Sequence, residues 1–437
     1  MNNDVRASLL EAYSEPVRDA LWGHIYLTPA LAALTESAPF MRLHRIMQLG
    51  PAMRIYPGAT HTRASHSFGV YNLARRLLVH LAGEGADGWL SPEGVKSFLC
   101  AALLHDLGHF PYTHSLKELP LEAHETLTAN LIEEEPVKSL VIAAGADPSF
   151  TAAIVDDRRA CSKNTCSSTE LNFFRKLLSG SLDPDKLDYL CRDGRYCGVP
   201  YGAQDVDFIL SRLYPHRERG VDIDSRGIPG VESILFSKYL MYRAVYWHRS
   251  VRSATAMVKK ALLWGLESGR IKGEELYNLD DQGLFTLAEE KLSLLFPLVD
   301  SVKNGRLFIT AAEIPFDENL HGGLLALSLR SSMEEDLAKH LSSVLGLSLD
   351  ANSIIIDIPE PVNFESNLFV TDENCFFPAS SSAFRGGLVD AFVKSLRIIR
   401  IFIDPRFEEK LLKTGEGILN IAQKWLQLYK GGCHGSA

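Results

Sequence analysis

Apolar residues recur through the first 270 positions at spacings of three and four, the pattern that gives a helix one buried face. Ser91 followed by Pro92 is typical of a helix start, because serine caps the first turn and proline tolerates its first position. Gly50 is typical of a helix end. The pattern predicts helices over 40–49, 65–82, 92–104, 183–194 and 232–265.

The segment from Phe98 to Leu104 is apolar on nearly all of its sides, which predicts that its helix is buried. This helix therefore carries the two residues that follow it, His105 and Asp106, from its last turn into the interior of the protein.

Strand patterns are short and lie mostly in the last third of the chain. The β-branched runs 353–358 and 398–404 predict strands, and Asp19–Gly23 followed by Ile25–Leu27 predicts a hairpin. The fold class predicted is therefore mainly α, a helical core with a smaller C-terminal α+β domain. We expect a helix and hairpin segment over 1–60, a core over 61–270, an α+β domain over 271–430 and a disordered tail over 431–437.

Charge and composition narrow the class of protein. The 437 residues carry 54 acidic and 45 basic side chains, a net charge of -9, which argues against a broad nucleic-acid-binding face. No apolar run approaches the roughly 20 residues needed to span a bilayer, and the start lacks a signal region. The seven cysteines include no Cys-x-x-Cys and fit reduced thiols. We expect a cytoplasmic protein without a membrane partner.

Histidine is concentrated in one stretch, since seven of the fourteen histidines lie between residues 61 and 125. Imidazole is both a common metal ligand and the side chain that titrates nearest neutral pH. Burying His105 beside Asp106 is costly unless a cation compensates both. The alternative is a core histidine followed by a helix-end aspartate, but the neighbouring histidines favour a metal. The natural ligands on other helices are His66 and Asp185.

This ligand set of two nitrogens and two oxygens suits a divalent transition metal, Mn, Fe, Co, Ni or Zn, and Mg is a further candidate. The sequence does not distinguish among these metals.

Three long motifs carry a family resemblance. They are Tyr56-Pro-Gly-Ala-Thr-His-Thr-Arg63-Ala-Ser-His66-Ser-Phe-Gly-Val, His105-Asp-Leu-Gly-His-Phe-Pro-Tyr-Thr-His114 and Asp183-Pro-Asp185-Lys-Leu-Asp-Tyr189. In order and spacing they resemble the H...HD...D signature of HD-domain phosphohydrolases, and within these the deoxynucleoside triphosphate triphosphohydrolase branch. The resemblance covers roughly residues 19–265 and continues more weakly to about 405.

The resemblance implies that residues 61–270 form an HD-domain catalytic core, to which segment 1–60 contributes. It implies a metal on His66, His105, Asp106 and Asp185, and cleavage of a dNTP into deoxynucleoside and inorganic triphosphate. By the same resemblance His109, His114 and His124 are catalytic or contact the α-phosphate; we expect His114 to be the proton donor. For His124 the alternative is a helix-surface residue paired with Glu125. Arg63, one turn before His66, can reach the phosphates.

The resemblance also implies the substrate contacts. Lys186, Tyr189 and Lys238 are expected to bind phosphate, Gln48 and Asp193 the sugar 3′ hydroxyl, and Tyr246 to pack on the deoxyribose. In isolation Lys186 also fits a solvated helix face, and Tyr246 fits a helix-helix core.

The sequence departs from the family at several positions. Lys238 replaces a phosphate-binding arginine, Trp247 replaces a polar residue, and Lys117 replaces an acid that orients a histidine. The family's Asp-Pro-Ile-His-Gly reads Asp19-Ala-Leu-Trp-Gly23. The positions aligned with the activator site of mammalian members are Pro16, Met41 and His44, none of which is an arginine or lysine, so activation by GTP is not implied.

The function predicted is that of a metal-dependent phosphohydrolase, most simply one acting on dNTPs. The alternatives are a phosphohydrolase or phosphodiesterase acting on nucleoside monophosphates or cyclic nucleotides, and a non-catalytic nucleotide sensor. An allosteric nucleotide site stays open, and relatives imply a homo-oligomer, either a dimer or a tetramer.

Overall fold

A computed structural model describes residues 3–161, 167–364, 366–381, 383–385, 387–412 and 418–432. Of the predicted disordered tail, residues 433–437 lie outside the described residues, whereas Gly431 and Gly432 end a helix. Within the described residues the protein is mainly helical, with strands concentrated in a smaller C-terminal part, which confirms the predicted fold class.

The N-terminal segment holds the predicted hairpin. The turn between its strands is organised by Asp19, whose carboxylate accepts hydrogen bonds from the backbone N–H groups of Leu21 and Trp22 at 2.9 and 2.8 Å. The predicted helix over 40–49 is wrong in its extent, because the observed helix ends at Leu43 and irregular turns follow. The elements are α1 Asn3–Leu10, β1 Glu15–Asp19, β2 Gly23–Leu27, α2 Pro29–Thr35 and α3 Ala38–Leu43.

The central helices surround the buried helix α5. Ser91 caps α5 as predicted, accepting from the N–H of Gly94, and every residue from Phe98 to Leu104 is buried. Helix α5 packs against α4, α8 and α9, and α4 packs against α10. These helices are α4 Arg63–Gly83, α5 Pro92–Leu104, α6 His124–Glu133, α7 Val137–Ala143, α8 Pro148–Val155, α9 Ser168–Leu178, α10 Pro184–Cys197 and α11 Val206–Leu210.

The single helix predicted over 232–265 is two helices, α12 Ile228–Met241 and α13 Arg249–Glu267. A π-helical turn over Tyr242–Tyr246 separates them, in which the N–H of Trp247 bonds the carbonyl of Tyr242 at 2.8 Å. A π-helical turn contains one more residue than an α-helical turn, and this hardly changes the spacing of apolar residues. The prediction of a single helix failed for this reason.

The C-terminal part combines short helices with strands. Its helices are α14 Glu274–Tyr277, α15 Asp281–Lys291, α16 Phe296–Lys303, α17 Glu318–His321, α18 Arg330–Leu345, α19 Phe377–Ser380, α20 Leu388–Leu396, α21 Glu408–Leu412 and α22 Ile418–Gly432. The remaining strands of the described chain are β3 Leu213–His216, β4 Gly220–Ile223, β5 Ile309–Pro315, β6 Ile354–Asp357, β7 Phe369–Val370, β8 Cys375–Phe376 and β9 Ile398–Ile403.

The strands form two further sheets. In the three-stranded antiparallel sheet β9 lies between β5 and β6, so the strand predictions over 353–358 and 398–404 are confirmed. In the other sheet the hairpin β3–β4 joins β7 and β8, and β4 pairs with β7 in parallel. This pairing attaches a C-terminal segment to the helical part.

The buried apolar residues form three clusters. One cluster fills the helical part, one surrounds α13 and α16, and one lies against the three-stranded sheet. The middle cluster includes Leu262 from before residue 270 and Ile355 and Phe402 from after it. The division at 270 therefore stays a prediction. None of the helices in the described ranges combines the length and the apolar character that crossing a bilayer requires.

Candidate active site

The four predicted metal ligands come together from three helices. His66 projects from α4, His105 and Asp106 lie at the end of α5, and Asp185 is in the first turn of α10. His66 Nε2 lies 3.0 Å from Asp185 Oδ1, and His105 Nε2 lies 3.3 Å from Asp106 Oδ1. Ligand atoms of His66, His105 and Asp106 all lie within 4.8 Å of one another.

The second nitrogen of each histidine ligand is held by another group. His66 Nδ1 lies 2.8 Å from Asp188 Oδ2, and His105 Nδ1 lies 3.0 Å from the carbonyl oxygen of Ala102. Such partners orient an imidazole and direct its Nε2 lone pair toward a metal. His105 Nε2 is buried and has no hydrogen-bond partner among the described residues. This donor set fits a divalent metal.

The charge around His66 is set by its carboxylate neighbours. Burial alone would lower the pKa of His66, but its hydrogen bonds to Asp185 and Asp188 outweigh burial and raise it to about 10. Burial would raise the pKa of Asp106, yet His109, His105 and Arg63 hold it well below its usual range. The buried carboxylates are thus kept ionised by positive charge that His66 and Arg63 supply, and a bound metal would take the place of the His66 proton.

Asp188 is itself fixed by a buried network. It receives the guanidinium of Arg192 at 2.8 Å and the indole Nε1–H of Trp22 at 2.5 Å. Arg192 also bonds Asp19 at 2.8 Å. The hairpin residues Asp19 and Trp22 therefore support a predicted metal-ligand histidine, and Trp22 is one of the three positions at which this segment departs from the family motif.

Three histidines lie beside the ligand cluster. The rings of His109 and His124 stack with centroids 3.9 Å apart, and His114 lies 4.7 Å from His109. Asp106, His109 and His124 form a second group whose ligand atoms are close enough to hold a metal. His124 Nδ1 also lies 3.2 Å from Glu125, so the alternative pairing is present together with the inward stack.

The environment lowers the pKa of the two more buried imidazoles. Burial, with the positive charge of Arg63, holds the pKa of His109 well below its usual range. Burial lowers the pKa of His124 to about 4, whereas the side chain of His114 opens to solvent. A neutral imidazole can bind a metal ion, or it can take up a proton once an anionic substrate has bound.

The loop that carries His109 and His114 packs closely against helix α6. A Cβ on Gly108 would lie 2.4 Å from the backbone N of Thr128, so only glycine allows this loop to contact α6. Tyr112 adopts a left-handed φ of 64°, and the guanidinium of Arg42 bonds the carbonyl of His109 at 2.6 Å. These constraints position both histidines beside the metal ligands.

Predicted phosphate-binding cations lie on three helices, α4, α10 and α12. The Arg63 guanidinium bonds Asp106 Oδ2 at 2.6 Å. The ammonium of Lys186, in α10, bonds Asp183 and the Gly180 carbonyl. Lys238, in α12, donates to the Asn363 carbonyl. Burial and the charge of Lys186 lower the pKa of Lys238 to about 8.

The remaining predicted contacts form a buried polar pocket around Asp193. Tyr246 donates its hydroxyl to Asp193 Oδ2 at 2.6 Å, and the ring of Tyr189 lies 6.4 Å from that of Tyr246. His61 Nε2 lies 2.8 Å from Asp193 Oδ1. Gln48 bonds the backbone of His61, and Gln48 Oε1 and His61 Nδ1 are buried without hydrogen-bond partners among the described residues.

Sequence reasoning assigned no role to three residues that the structure places at this site. Asp188 and Arg192 follow Asp185 along α10 at spacings of three and four, a signal that all three share one face of that helix. His61 stood within a quoted motif but carried no separate signal, because its contact with Asp193 joins positions 132 residues apart.

Comparisons with known proteins agree with this geometry. Residues 63–153 match the family model of the HD domain, and residues 205–427, just over half of the chain, match that of the HD associated region. An uncharacterised Bacillus subtilis protein, YwfO, is 36% identical over 229 residues, covering 52% of this chain and 50% of its own length.

Human deoxynucleoside triphosphate triphosphohydrolase SAMHD1 is 26% identical over 275 residues, covering 56% of this chain and 44% of its own length. The chain thus spans about half the length of the curated relatives it matches. The solved structure of a phosphohydrolase from Bacteroides thetaiotaomicron has a TM-score of 0.69 at 22% identity, covering 90% of this chain and all of that one. At this identity the likeness shows the fold alone.

Proposed function

This chain belongs to the HD-domain phosphohydrolases, and on that premise we propose that it hydrolyses deoxynucleoside triphosphates to a deoxynucleoside and inorganic triphosphate. The observation that carries the proposal is the composition of α10. Asp185, Tyr189 and Asp193 follow one another at intervals of four and so share one helix face. That face supplies a metal ligand, an aromatic wall and a hydroxyl acceptor in one row, and Lys186 adds a cation beside them.

In this proposal His66, His105, Asp106 and Asp185 hold the divalent metal. When bound, such a metal supplies a Lewis acid for phosphate oxygens and lowers the pKa of a bound water. Asp188 fixes the ring of His66, and Arg63 holds Asp106 in place. The contribution of the protein is therefore a set of donors whose side chains are held in place by these contacts, and metal binding would release the proton of His66.

The cations Lys186 and Lys238 would bind the triphosphate. Each ammonium group bonds a backbone carbonyl, a neutral partner that a phosphate oxygen can replace, and Lys186 would also keep its ion pair with Asp183. The pocket around Asp193 would bind the sugar, with Gln48 Oε1 and Asp193 as acceptors for a hydroxyl and Tyr246 against the ring. In a ribonucleotide, the 2′ hydroxyl would lie against the aromatic ring of Tyr246.

The proton for the leaving 5′ oxygen would come from His114 Nε2 or Nδ1. His114 is the most open of the three histidines, and a bound polyanion raises the pKa of a nearby imidazole. His109 and His124 are stacked on each other, and in this proposal they would contact the α-phosphate.

A product assay tests the proposal. Purified protein of known metal content is given each dNTP and each NTP, singly and in pairs, and nucleoside, orthophosphate, pyrophosphate and triphosphate are resolved by chromatography. We expect deoxynucleoside and intact triphosphate, lost in Asp106→Ala and retained in His340→Ala, a matched substitution of a histidine on α18.

The other outcomes separate the remaining readings. Orthophosphate release from monophosphates, or opening of cyclic nucleotides, would replace the dNTP assignment with another phosphate ester. Nucleotide binding without any product from metal-loaded protein would favour a sensor. Product that appears only with paired nucleotides would reveal an activator site. A dimeric or tetrameric assembly and a cytoplasmic location stay predictions.

A further inference from the structure

A cavity lined by both apolar and charged side chains lies apart from the candidate active site, between α13, α18 and β6. Its volume is about 130 Å³, and no residue of the candidate active site lines it. The polar side chains on its wall include three cations and two carboxylates: Lys259, Lys260, Arg330, Glu334 and Asp357. The half-buried indole of Trp264 forms part of its apolar wall.

Most charges on this wall are already neutralised. Lys259 lies 2.8 Å from Glu118, and Lys260 lies 2.5 Å from Glu334. The other carboxylate oxygen of Glu334 accepts a hydrogen bond from the N–H of Ile356. Asp357 uses both of its oxygens on Arg252, at 2.6 and 2.8 Å. These contacts leave neither lining carboxylate available to a further cation.

Arg330 is the exception. Its side chain is buried, with 7% of the residue exposed, and it makes no ion pair with any carboxylate of the described residues. One guanidinium nitrogen donates to the Ile356 carbonyl at 2.7 Å and another to the Leu324 carbonyl at 3.3 Å. Its Nε is buried and, within the described part of the chain, has no acceptor. A buried cation without a counter-charge is costly.

The helix that carries Arg330 adds to the positive potential. Helix α18 has 16 residues, and its N-cap, Leu329, provides no side-chain hydrogen bond to the first turn. Free N–H groups at a helix start favour an anion. Ser331 lines the cavity and is exposed, so the cavity is accessible from solvent.

We propose that this cavity binds a phosphate-sized oxyanion, with Arg330 as its counter-charge. Its volume is about that of four water molecules in the liquid. The five heavy atoms of phosphate fit into this space, whereas a whole nucleotide does not. The oxyanion would contact the guanidinium of Arg330 and N–H groups at the start of α18. It is either free phosphate or the terminal phosphate of a ligand whose remainder lies in solvent.

Orthophosphate binding to the full, metal-loaded chain tests the proposal. Calorimetric titration is carried out on the wild type and on Lys186→Ala, which weakens phosphate binding in the candidate active site. We expect a phosphate site that survives Lys186→Ala and weakens by about tenfold or more in Arg330→Met, because charge-assisted bonds carry most of the affinity.

Arg330→Met could lose phosphate binding simply because it fails to fold. A second pair of variants therefore tests the cavity without changing Arg330. Ser331→Asp places a carboxylate in the cavity and should abolish the surviving site. Ser332→Asp adds the same charge one residue further along α18, on an exposed side chain that does not line the cavity, and should retain it. Phosphate binding that is lost entirely in Lys186→Ala, or that is unchanged in Ser331→Asp, would overturn the proposal.

Competition with a nucleoside triphosphate distinguishes the two sources of the oxyanion. Displacement of phosphate from the site that Ser331→Asp abolishes would identify the phosphate group of a larger ligand. Phosphate that stays bound there, at nucleotide concentrations that saturate the candidate active site, would identify the free ion.

Discussion

The imidazole of His61 is completely buried and bonds one oxygen of Asp193, while the hydroxyl of Tyr246 bonds the other. Asp193 is therefore held in one orientation from both sides. If Asp193 accepts a hydrogen bond from the sugar 3′ hydroxyl, then His61 is a positioning residue for that contact.

Substitution of His61 should reveal this role through the substrate. We expect His61→Leu to lower kcat/KM for a dNTP by about tenfold, because one buried hydrogen bond is lost. The kcat/KM for the corresponding 2′,3′-dideoxynucleotide should fall much less. Kinetics with both substrates at matched metal content measure the difference. Equal losses on the two substrates would show that His61 serves only the fold.

Lys238 gives a prediction about pH. Burial and Lys186 lower its pKa to about 8, so its ammonium is charged below that pH and loses its charge as the pH rises further. Above pH 8 the KM should rise by up to about tenfold per pH unit, as the fraction of charged Lys238 falls. Lys186, Asp183 and Asp185 are the charged groups nearest to it.

The matched variant is Lys238→Arg, because a guanidinium keeps its charge throughout this range. Its KM should stay flat between about pH 7 and pH 9.5 while the wild type rises. Parallel profiles for the two proteins would mean that a different group titrates, and Lys238 would then have no part in substrate binding.

At this scale sequence motifs identify which side chains belong together, but not which of their atoms are engaged. Asp188 is an ordinary helix carboxylate in the sequence, and its bond to His66 depends on how closely α4 approaches α10. Lys186 was assigned to phosphate, yet its ammonium already bonds Asp183 and a carbonyl. Such competition between partners is decided by packing.

At the scale of elements, helices α4, α5 and α10 were predictable because caps and apolar periodicity agree over each of them. The turn between α12 and α13 was not, because one extra residue leaves the apolar pattern nearly unchanged. This turn rotates Tyr246 so that its hydroxyl reaches Asp193. The hairpin β3–β4 was also missed, and its short strands carry a weak alternation.

Asp188 joins the hairpin β1–β2, α4 and α10 at one carboxylate. We expect Asp188→Asn to weaken metal binding by roughly 10- to 100-fold, since it removes the charge beside His66 and replaces one of the two accepting carboxylate oxygens with an amide donor. Competition with a fluorescent chelator measures the affinity. Asp390→Asn, a substitution of an exposed aspartate in α20, is the control and should change nothing.

Asp188 also neutralises the buried Arg192, so stability must be separated from metal affinity. Trp22→Phe removes only the indole donor to Asp188 and leaves both ion-pairing partners in place. It should fold and show a smaller loss of metal affinity than Asp188→Asn. Unchanged metal affinity in both variants would contradict a supporting role for this network.

At the scale of the whole molecule, α13 connects the site to the C-terminal sheet. It begins immediately after the turn that holds Tyr246, and its Arg252 forms a buried pair with Asp357 of β6. Burial alone would raise the pKa of Asp357, but Arg252 outweighs it and lowers that pKa. The stability from this pair is therefore present at neutral pH and lost as the pH falls through the lowered pKa.

Asp357→Asn should lower the free energy of unfolding by about 3 kcal/mol or more, because it leaves Arg252 buried without its counter-charge. Arg252→Met combined with Asp357→Leu should recover most of that loss, since packed apolar side chains then replace both charges. Urea unfolding, followed by tryptophan fluorescence and by circular dichroism, measures the change. If Asp357→Asn costs less than about 1 kcal/mol, the pair is solvated and does not join the two parts. If the two probes separate in the variant alone, the C-terminal part unfolds first, which is the result expected when this pair couples it to the helical part.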